Sequence, residues 1–291
     1  MQKIFFALPG NEVLTDSLAH KTDGETGGME LRRFPDEETY VRIDSDVKGK
    51  DVVLVCTLDH PDQKLLPLYF LSKTAKDLGA ASIILVAPYL AYMRQDIRFH
   101  KGEGITSSYF AALVSGSVDS LITIDPHLHR RTSLSEIYRI PTTVIHAADK
   151  ISEWIRLNIT KPLLVGPDSE SEQWVSAVAA NADAPYITLY KTRHGDREVE
   201  VSVPHIEKYK DHTPVLVDDI ISTARTMIET LGHLRKAGMK KPVCIGVHGI
   251  FAGTAYEDLL EAGTAEIVTC NSIPHPSNRI MIDDLIMRYL S

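Results

Sequence analysis

Short apolar, β-branched runs alternate with longer stretches of helical period along nearly the whole chain, and this alternation restricts the fold more than any other feature. VVLVCT (52–57) precedes a helical stretch at 65–78, SIILVAPYL (82–90) precedes one at 107–114, and SLITID (120–125) follows. Downstream the order recurs: KPLLVGPD (161–168), a helix near 173–180, ITLYKTR (187–193), PVLVDD (214–219), a helix near 226–237, and PVCIGVHGIF (242–251). Strand, helix and strand in this rhythm build a mainly parallel sheet flanked by helices. The two series also match each other. VVLVCT, a helix closed by Leu78-Gly79 and SIILVAPY lie over PVLVDD, a helix closed by Ala237-Gly238 and PVCIGVHG, at a separation of roughly 160 residues. LITIDPH pairs with EIVTCNSIP at a shorter offset. The expectation is two similar α/β domains, 1–146 and 147–291, with the boundary just before the amphipathic stretch 147–157.

Length and charge narrow the functions open to such a chain. At 291 residues, two domains are the better expectation. The formal net charge of −8 offers no electrostatic footprint for nucleic acid or an anionic membrane, so any bound phosphate must be met by local groups. Cys56, Cys244 and Cys270 lie inside apolar runs, and an odd number at unrelated spacings suits neither a disulfide framework nor a zinc site. Buried, reduced thiols of a cytoplasmic protein are the simpler expectation. MQKIFFALPG is too short an apolar start for a signal peptide, and no later run reaches the roughly 18 residues of a bilayer span.

The densest chemistry sits at 215–226, where Val-Leu-Val is followed by Asp218-Asp219, the loop Ile220-Ile221-Ser222-Thr223-Ala224-Arg225, and Thr226 at the start of a helix. A helix N-terminus offers unpaired amides and the positive end of its dipole to an anion. Two acids at the end of the preceding strand can accept hydrogen bonds from vicinal sugar hydroxyls. Together they suggest a sugar-phosphate site. A capped helix with solvated acids is the plainer alternative.

This segment resembles the type I phosphoribosyltransferase motif, and five others narrow the resemblance to the ribose-phosphate diphosphokinases. Arg33-Phe34-Pro35-Asp36-Glu37-Glu38 is similar to that family's adenine-contacting loop, and Pro88-Tyr89-Leu90-Ala91-Tyr92-Met93-Arg94-Gln95-Asp96 to its PY-x-x-Y-x-RQD signature. Ile124-Asp125-Pro126-His127 resembles the metal loop, Gly166-Pro167-Asp168 the PD segment, and Lys191-Thr192-Arg193 the opening of the catalytic loop. The six segments occur in family order.

The resemblance implies two phosphoribosyltransferase-type domains that transfer a diphosphoryl group from ATP to C1 of ribose 5-phosphate, with Mg²⁺ as cofactor. Phe34, Asp36 and Glu38 would hold adenine, and Arg94 and Gln95 would meet the ATP phosphates and ribose. His127 would ligate Mg²⁺, with Asp168 as second ligand or ribose contact. Lys191 and Arg193 would be the catalytic cations. Asp218, Asp219, Ser222, Thr223, Ala224 and Thr226 would bind ribose 5-phosphate. A homo-oligomer built on a dimer is implied, with no nucleic-acid or membrane partner.

Three departures stand out. Arg225 and Glu37 occupy places where the family usually has glycine, and Ser169-Glu170-Ser171-Glu172 follows Asp168 where small residues are usual. Arg225 would either clash, if its backbone needs a positive φ, or add a phosphate contact. Two other functions remain open at this point: a phosphoribosyltransferase that consumes phosphoribosyl diphosphate, and a non-catalytic paralogue that regulates a synthase.

Overall fold

The computed structural model describes residues 2–128, 130–166, 172–194, 198–202 and 206–290, with main chain only at 173, 190–194 and 198–202. The chain divides into two compact units, one of residues 1–145 and 283–291, the other of residues 146–282.

The first unit runs β1 (Lys3–Ala7), α1 (Glu12–Lys21), β2 (Glu25–Thr26), β3 (Met29–Arg33), β4 (Thr39–Ile43), β5 (Asp51–Val55), α2 (Pro61–Asp77), β6 (Ser82–Ala87), α3 (Thr106–Ser115), β7 (Ser120–Ile124) and β8 (Thr142–Ile145). Six strands form a parallel sheet in the order β2-β1-β5-β6-β7-β8, and β3 and β4 stand apart as an antiparallel hairpin. Ile4, Phe5 and Phe6 are all fully buried, as are Val52 to Val55. Successive strand residues point to opposite faces, so consecutive buried positions mean that both faces are covered.

The second unit runs α4 (Ala148–Asn158), β9 (Pro162–Gly166), α5 (Glu172–Ala182), β10 (Tyr186–Thr188), β11 (Tyr190–His194), β12 (Glu198–Ser202), β13 (Thr213–Ile221), α6 (Arg225–Lys236), β14 (Val243–Gly249), α7 (Ala255–Glu261), β15 (Glu266–Cys270) and β16 (Asn278–Ile280). Its parallel sheet has the order β10-β9-β13-β14-β15-β16, beside an antiparallel β11–β12 hairpin. Rank by rank this is the topology of the first unit, with β5, β6 and β7 answering to β13, β14 and β15. Those are the pairs that the sequence match proposes. The hairpins answer to each other as well, each inserted between the edge strand and the strand that returns to the sheet centre.

Two expectations need correction. ITLYKTR is not one strand: it divides into β10 and β11, which belong to different sheets, with Leu189 buried at the junction. The C-terminal end does not belong to the second domain either. Helix α8 (Asp283–Met287) groups with the first unit, where Asp283 accepts a hydrogen bond from Ser17 Oγ at 2.8 Å and Asp284 pairs with Lys21 at 2.5 Å. Ile286 is fully buried and α8 contacts α1, so apolar burial adds to this hydrogen bond and ion pair.

All three cysteines are free and buried, and burial pushes the thiols of Cys56 and Cys244 up to about 12, which keeps them protonated. Among the described residues no helix is long and apolar enough to cross a membrane.

Truncating Ile286 to alanine should therefore lower the stability of the first unit by about 2–5 kcal/mol, the usual range for emptying a buried aliphatic site. Amide hydrogen exchange should quicken in residues 12–21 and stay unchanged in residues 225–236.

Candidate active site

In the second unit the site grows from β13. Val215, Leu216 and Val217 are fully buried in the sheet, whereas Asp218, Asp219 and Ile220 emerge half-buried at its carboxyl end. Asp218 sits opposite Gly246 of β14, where an added Cβ would come within 2.7 Å of the Ile221 side chain, so the close approach of the two strand ends depends on that glycine. The Asp219 amide donates to Asp218 Oδ1 at 3.0 Å.

Ser222, Thr223 and Ala224 then lead into α6. The first hydrogen bond of that helix is Ile228 N–H to Ala224 C=O at 2.9 Å, so the amides of Arg225, Thr226 and Met227 precede the helical ladder. Among the described residues no side chain caps this end, its first turn holds no acid, and His233, Arg235 and Lys236 fill the last turn. Both charge patterns suit the dipole and leave its positive end to an anion. A cavity of about 150 Å³ opens there, lined by Asp218 and residues 220–227.

The departure at Arg225 resolves in an unexpected way. Arg225 is the first residue of α6 and exposed, while the left-handed position is its neighbour Ala224, with φ +57°. The loop thus takes its turn without strain at Arg225. Glu37 behaves otherwise: it adopts φ +71°, the conformation that glycine would take freely.

In the first unit, Phe34, Asp36 and Glu38 lie exposed at the tip of the β3–β4 hairpin, which packs on α2. The turn is closed by Phe34 N–H to Glu38 C=O at 2.8 Å and Glu37 N–H to Phe34 C=O at 2.9 Å. Phe34 meets Tyr40 edge-on at 5.8 Å, and the Arg32 guanidinium lies 4.9 Å from the Phe34 ring and 4.1 Å from that of Tyr40.

Arg94 and Gln95 follow β6, and His127 follows β7. These strands are neighbours, so the three residues leave one edge of one sheet. Arg94 is exposed; Gln95 accepts from Thr106 Oγ1 at 2.9 Å, and the buried Asp96 holds Arg130 at 3.1 Å. Tyr92, at φ +60°, donates its hydroxyl to Asp62; burial first, and then that carboxylate, push the phenol up to about 12. Lys191 and Arg193 lie on β11 opposite Val201 and Val199. Asp168 lies outside the described residues.

Comparison with known proteins decides the kinship. Residues 3–117 match the N-terminal domain of ribose phosphate pyrophosphokinase, and residues 133–282 match the phosphoribosyl transferase domain. The ribose-phosphate pyrophosphokinase of Methanobrevibacter smithii is 31% identical over 289 residues, covering 95% of this chain and 96% of that protein. The chain belongs to the ribose-phosphate pyrophosphokinase family. That of Sulfolobus acidocaldarius is 31% identical over 263 residues, 88% of each chain. In fold, the crystal structure of phosphoribosylpyrophosphate synthetase from Mycobacterium smegmatis matches with a TM-score of 0.87, covering 100% of this chain and 98% of that one at 23% identity.

Near the second unit's site, sequence reasoning missed the left-handed backbone at Ala224 and the pairing of 190–194 with 198–202. A strand-length run followed by polar residues was the only signal for the hairpin.

Glycine at Glu37 and at Ala224 should act differently. Glu37→Gly, on an exposed turn, relieves backbone strain and should stabilise the protein by up to about 1 kcal/mol. Ala224→Gly relieves similar strain but gives up a Cβ in the α6 core and should change stability by less than about 0.5 kcal/mol. Urea denaturation midpoints check both.

Proposed function

We propose that the chain transfers the diphosphoryl group of ATP to the C1 hydroxyl of ribose 5-phosphate, giving 5-phosphoribosyl 1-diphosphate and AMP. The observation that carries this reading is that both family domains match across the chain while the second holds an acid pair beside an uncapped helix end. A phosphoribosyltransferase acting on a base would account for the second domain and leave the first, with its Arg94-Gln95 edge and Phe34 hairpin, without a role.

In the proposed reaction Asp218 and Asp219 hold the ribose hydroxyls. The amides from Ser222 to Thr226, including that of Ala224, and the hydroxyls of Ser222, Thr223 and Thr226 receive the 5-phosphate. Phe34 stacks adenine, Asp36 and Glu38 accept from its edge, and Arg94 and Gln95 meet the phosphates and ribose of ATP. The C1 oxygen attacks the β-phosphorus, the bond from that phosphorus to the α–β bridging oxygen breaks, AMP leaves with the bridging oxygen, and the hydroxyl proton passes to solvent. Lys191 and Arg193 offset the charge that builds on the transferring group, the main demand of phosphoryl-type chemistry.

Magnesium is the proposed cofactor, and His127 and Asp168 are the residues that would hold it. Among the described residues no three His, Cys, Asp or Glu side chains group as a metal cage. Mg²⁺ keeps several waters and binds through one or two protein groups plus substrate phosphates, so a sparse donor set fits it. When bound, it neutralises and orients the triphosphate. A dimer-based homo-oligomer and a cytoplasmic location complete the proposal.

Incubation with Mg-ATP and ribose 5-phosphate should yield AMP and phosphoribosyl diphosphate in equal amounts by chromatography. ADP as the sole nucleotide product would defeat the reading, and failure to bind ribose 5-phosphate with ATP binding intact would favour the regulatory paralogue. Lys191→Ala and Arg193→Ala should each lower kcat by about 10²–10³-fold with much smaller changes in either KM, because their work is concentrated in the transition state.

A further inference from the structure

The segment that leaves β14 is bonded directly to the phosphate loop. Ile250 N–H and Phe251 N–H both donate to the Ile221 carbonyl at 3.0 Å, and Ala252 N–H donates to the Ser222 carbonyl at 3.0 Å. A trans peptide is planar, with its C=O and N–H pointing in opposite directions, and the described residues contain no cis peptide bond. Once the carbonyls of Ile221 and Ser222 face residues 250–252, the amides of Ser222 and Thr223 must face the other way. Those two residues line the cavity at the head of α6.

Presenting three consecutive amides to two carbonyls requires a sharp turn, and Phe251 supplies it at φ +46°, a conformation that a residue with a Cβ seldom adopts. Its ring is held from three directions. It lies on Gly249, where an added Cβ would come within 2.5 Å of Phe251 Cε2. It stacks at a tilt on His275 at 4.5 Å and meets Tyr256 of α7 edge-on at 5.2 Å, while Tyr256 and His275 touch at 4.7 Å. His275 is itself fixed: its ring Nδ1 accepts from Ser277 N–H at 3.2 Å, and its main-chain N–H donates to Asn278 Oδ1 at 2.9 Å. Burial pushes its pKa below the ordinary histidine value, against a smaller opposite pull from Glu257, so it stacks as a neutral ring.

We propose that Phe251 is a positioning residue for the sugar phosphate, its left-handed backbone, clamped by Tyr256 and His275, aiming the Ser222 and Thr223 amides at the 5-phosphate. This rests on the functional reading above. The alternative is that the aromatic trio only fills space beside the α6 core, and the two differ in which substrate responds.

Binding of ribose 5-phosphate to the full-length protein, measured by titration calorimetry, separates them, together with KM for each substrate. Phe251→Ala should weaken ribose 5-phosphate by about tenfold or more, the scale of one charge-assisted hydrogen bond, and leave the KM for Mg-ATP within about twofold. Tyr256→Ala should act in the same direction, and Tyr256→Phe, which keeps the ring edge, should restore wild-type affinity. If Phe251→Ala does not fold, the Tyr256 pair decides. Folded Phe251→Ala and Tyr256→Ala proteins with unchanged ribose 5-phosphate affinity, or with both KM values raised alike, would overturn the proposal. A wild-type protein that does not bind ribose 5-phosphate would sink the functional reading first, whereas equal binding by wild type and variants would sink this inference alone.

Discussion

A parallel sheet covered on both faces has one region where polar groups can be gathered without leaving them buried and unpaired: the edge at which its strands end. The rest of this molecule follows from that constraint. β13 runs from a fully buried Val215-Leu216-Val217 to half-buried Asp218 and Asp219 within two residues. A helix beginning four residues beyond the strand's last residue brings its first amides to the same cavity as Asp218. Chain geometry thereby gathers carboxylates and main-chain amides at one end of the strand, and the specific side chains refine what the backbone already offers.

The same architecture occurs twice, and each unit uses it differently. In the first, the edge beyond β6 and β7 carries Arg94, Gln95 and His127, and the hairpin between β2 and β5 carries Phe34. In the second, the edge beyond β13 carries the acid pair, and the equivalent hairpin carries Lys191 and Arg193. One topology thus carries Arg94, His127 and an aromatic hairpin tip in one unit, and an acid pair, a helix N-terminus and two cations in the other.

The loops leaving these edges contain non-glycine residues at positive φ, Tyr92, Asp125, Ala224 and Phe251, and the turn of the β3–β4 hairpin adds Glu37. Each is unfavourable by itself, and neighbours hold three of them in place. Tyr92 is bonded to Asp62, Asp125 N–H donates to the Ile145 carbonyl at 2.9 Å, and Phe251 sits in an aromatic clamp. Stored backbone strain at strand ends is the expected companion of preorganised binding groups, since a relaxed loop would sample orientations that present no common focus.

The sequence by itself determined the class of sheet, the repeat of one α/β unit, and the coincidence of strand, acid pair and helix start at 215–226. Those are local signals: an apolar run records burial, a 3.6-residue period records a helix face, and adjacent residues stay adjacent. Tertiary structure decided what depends on distant partners. The hairpins at 29–43 and 190–202 are short, antiparallel and outside the main sheets, so no long apolar run announces them. α8 joins the first unit because Ser17, Lys21 and a buried Ile286 site lie there, more than 260 residues away in sequence. That Ala224 and not Arg225 takes the left-handed turn, and that residues 250–252 bond to Ile221 and Ser222, follow from where two neighbouring strands end, which no single segment encodes.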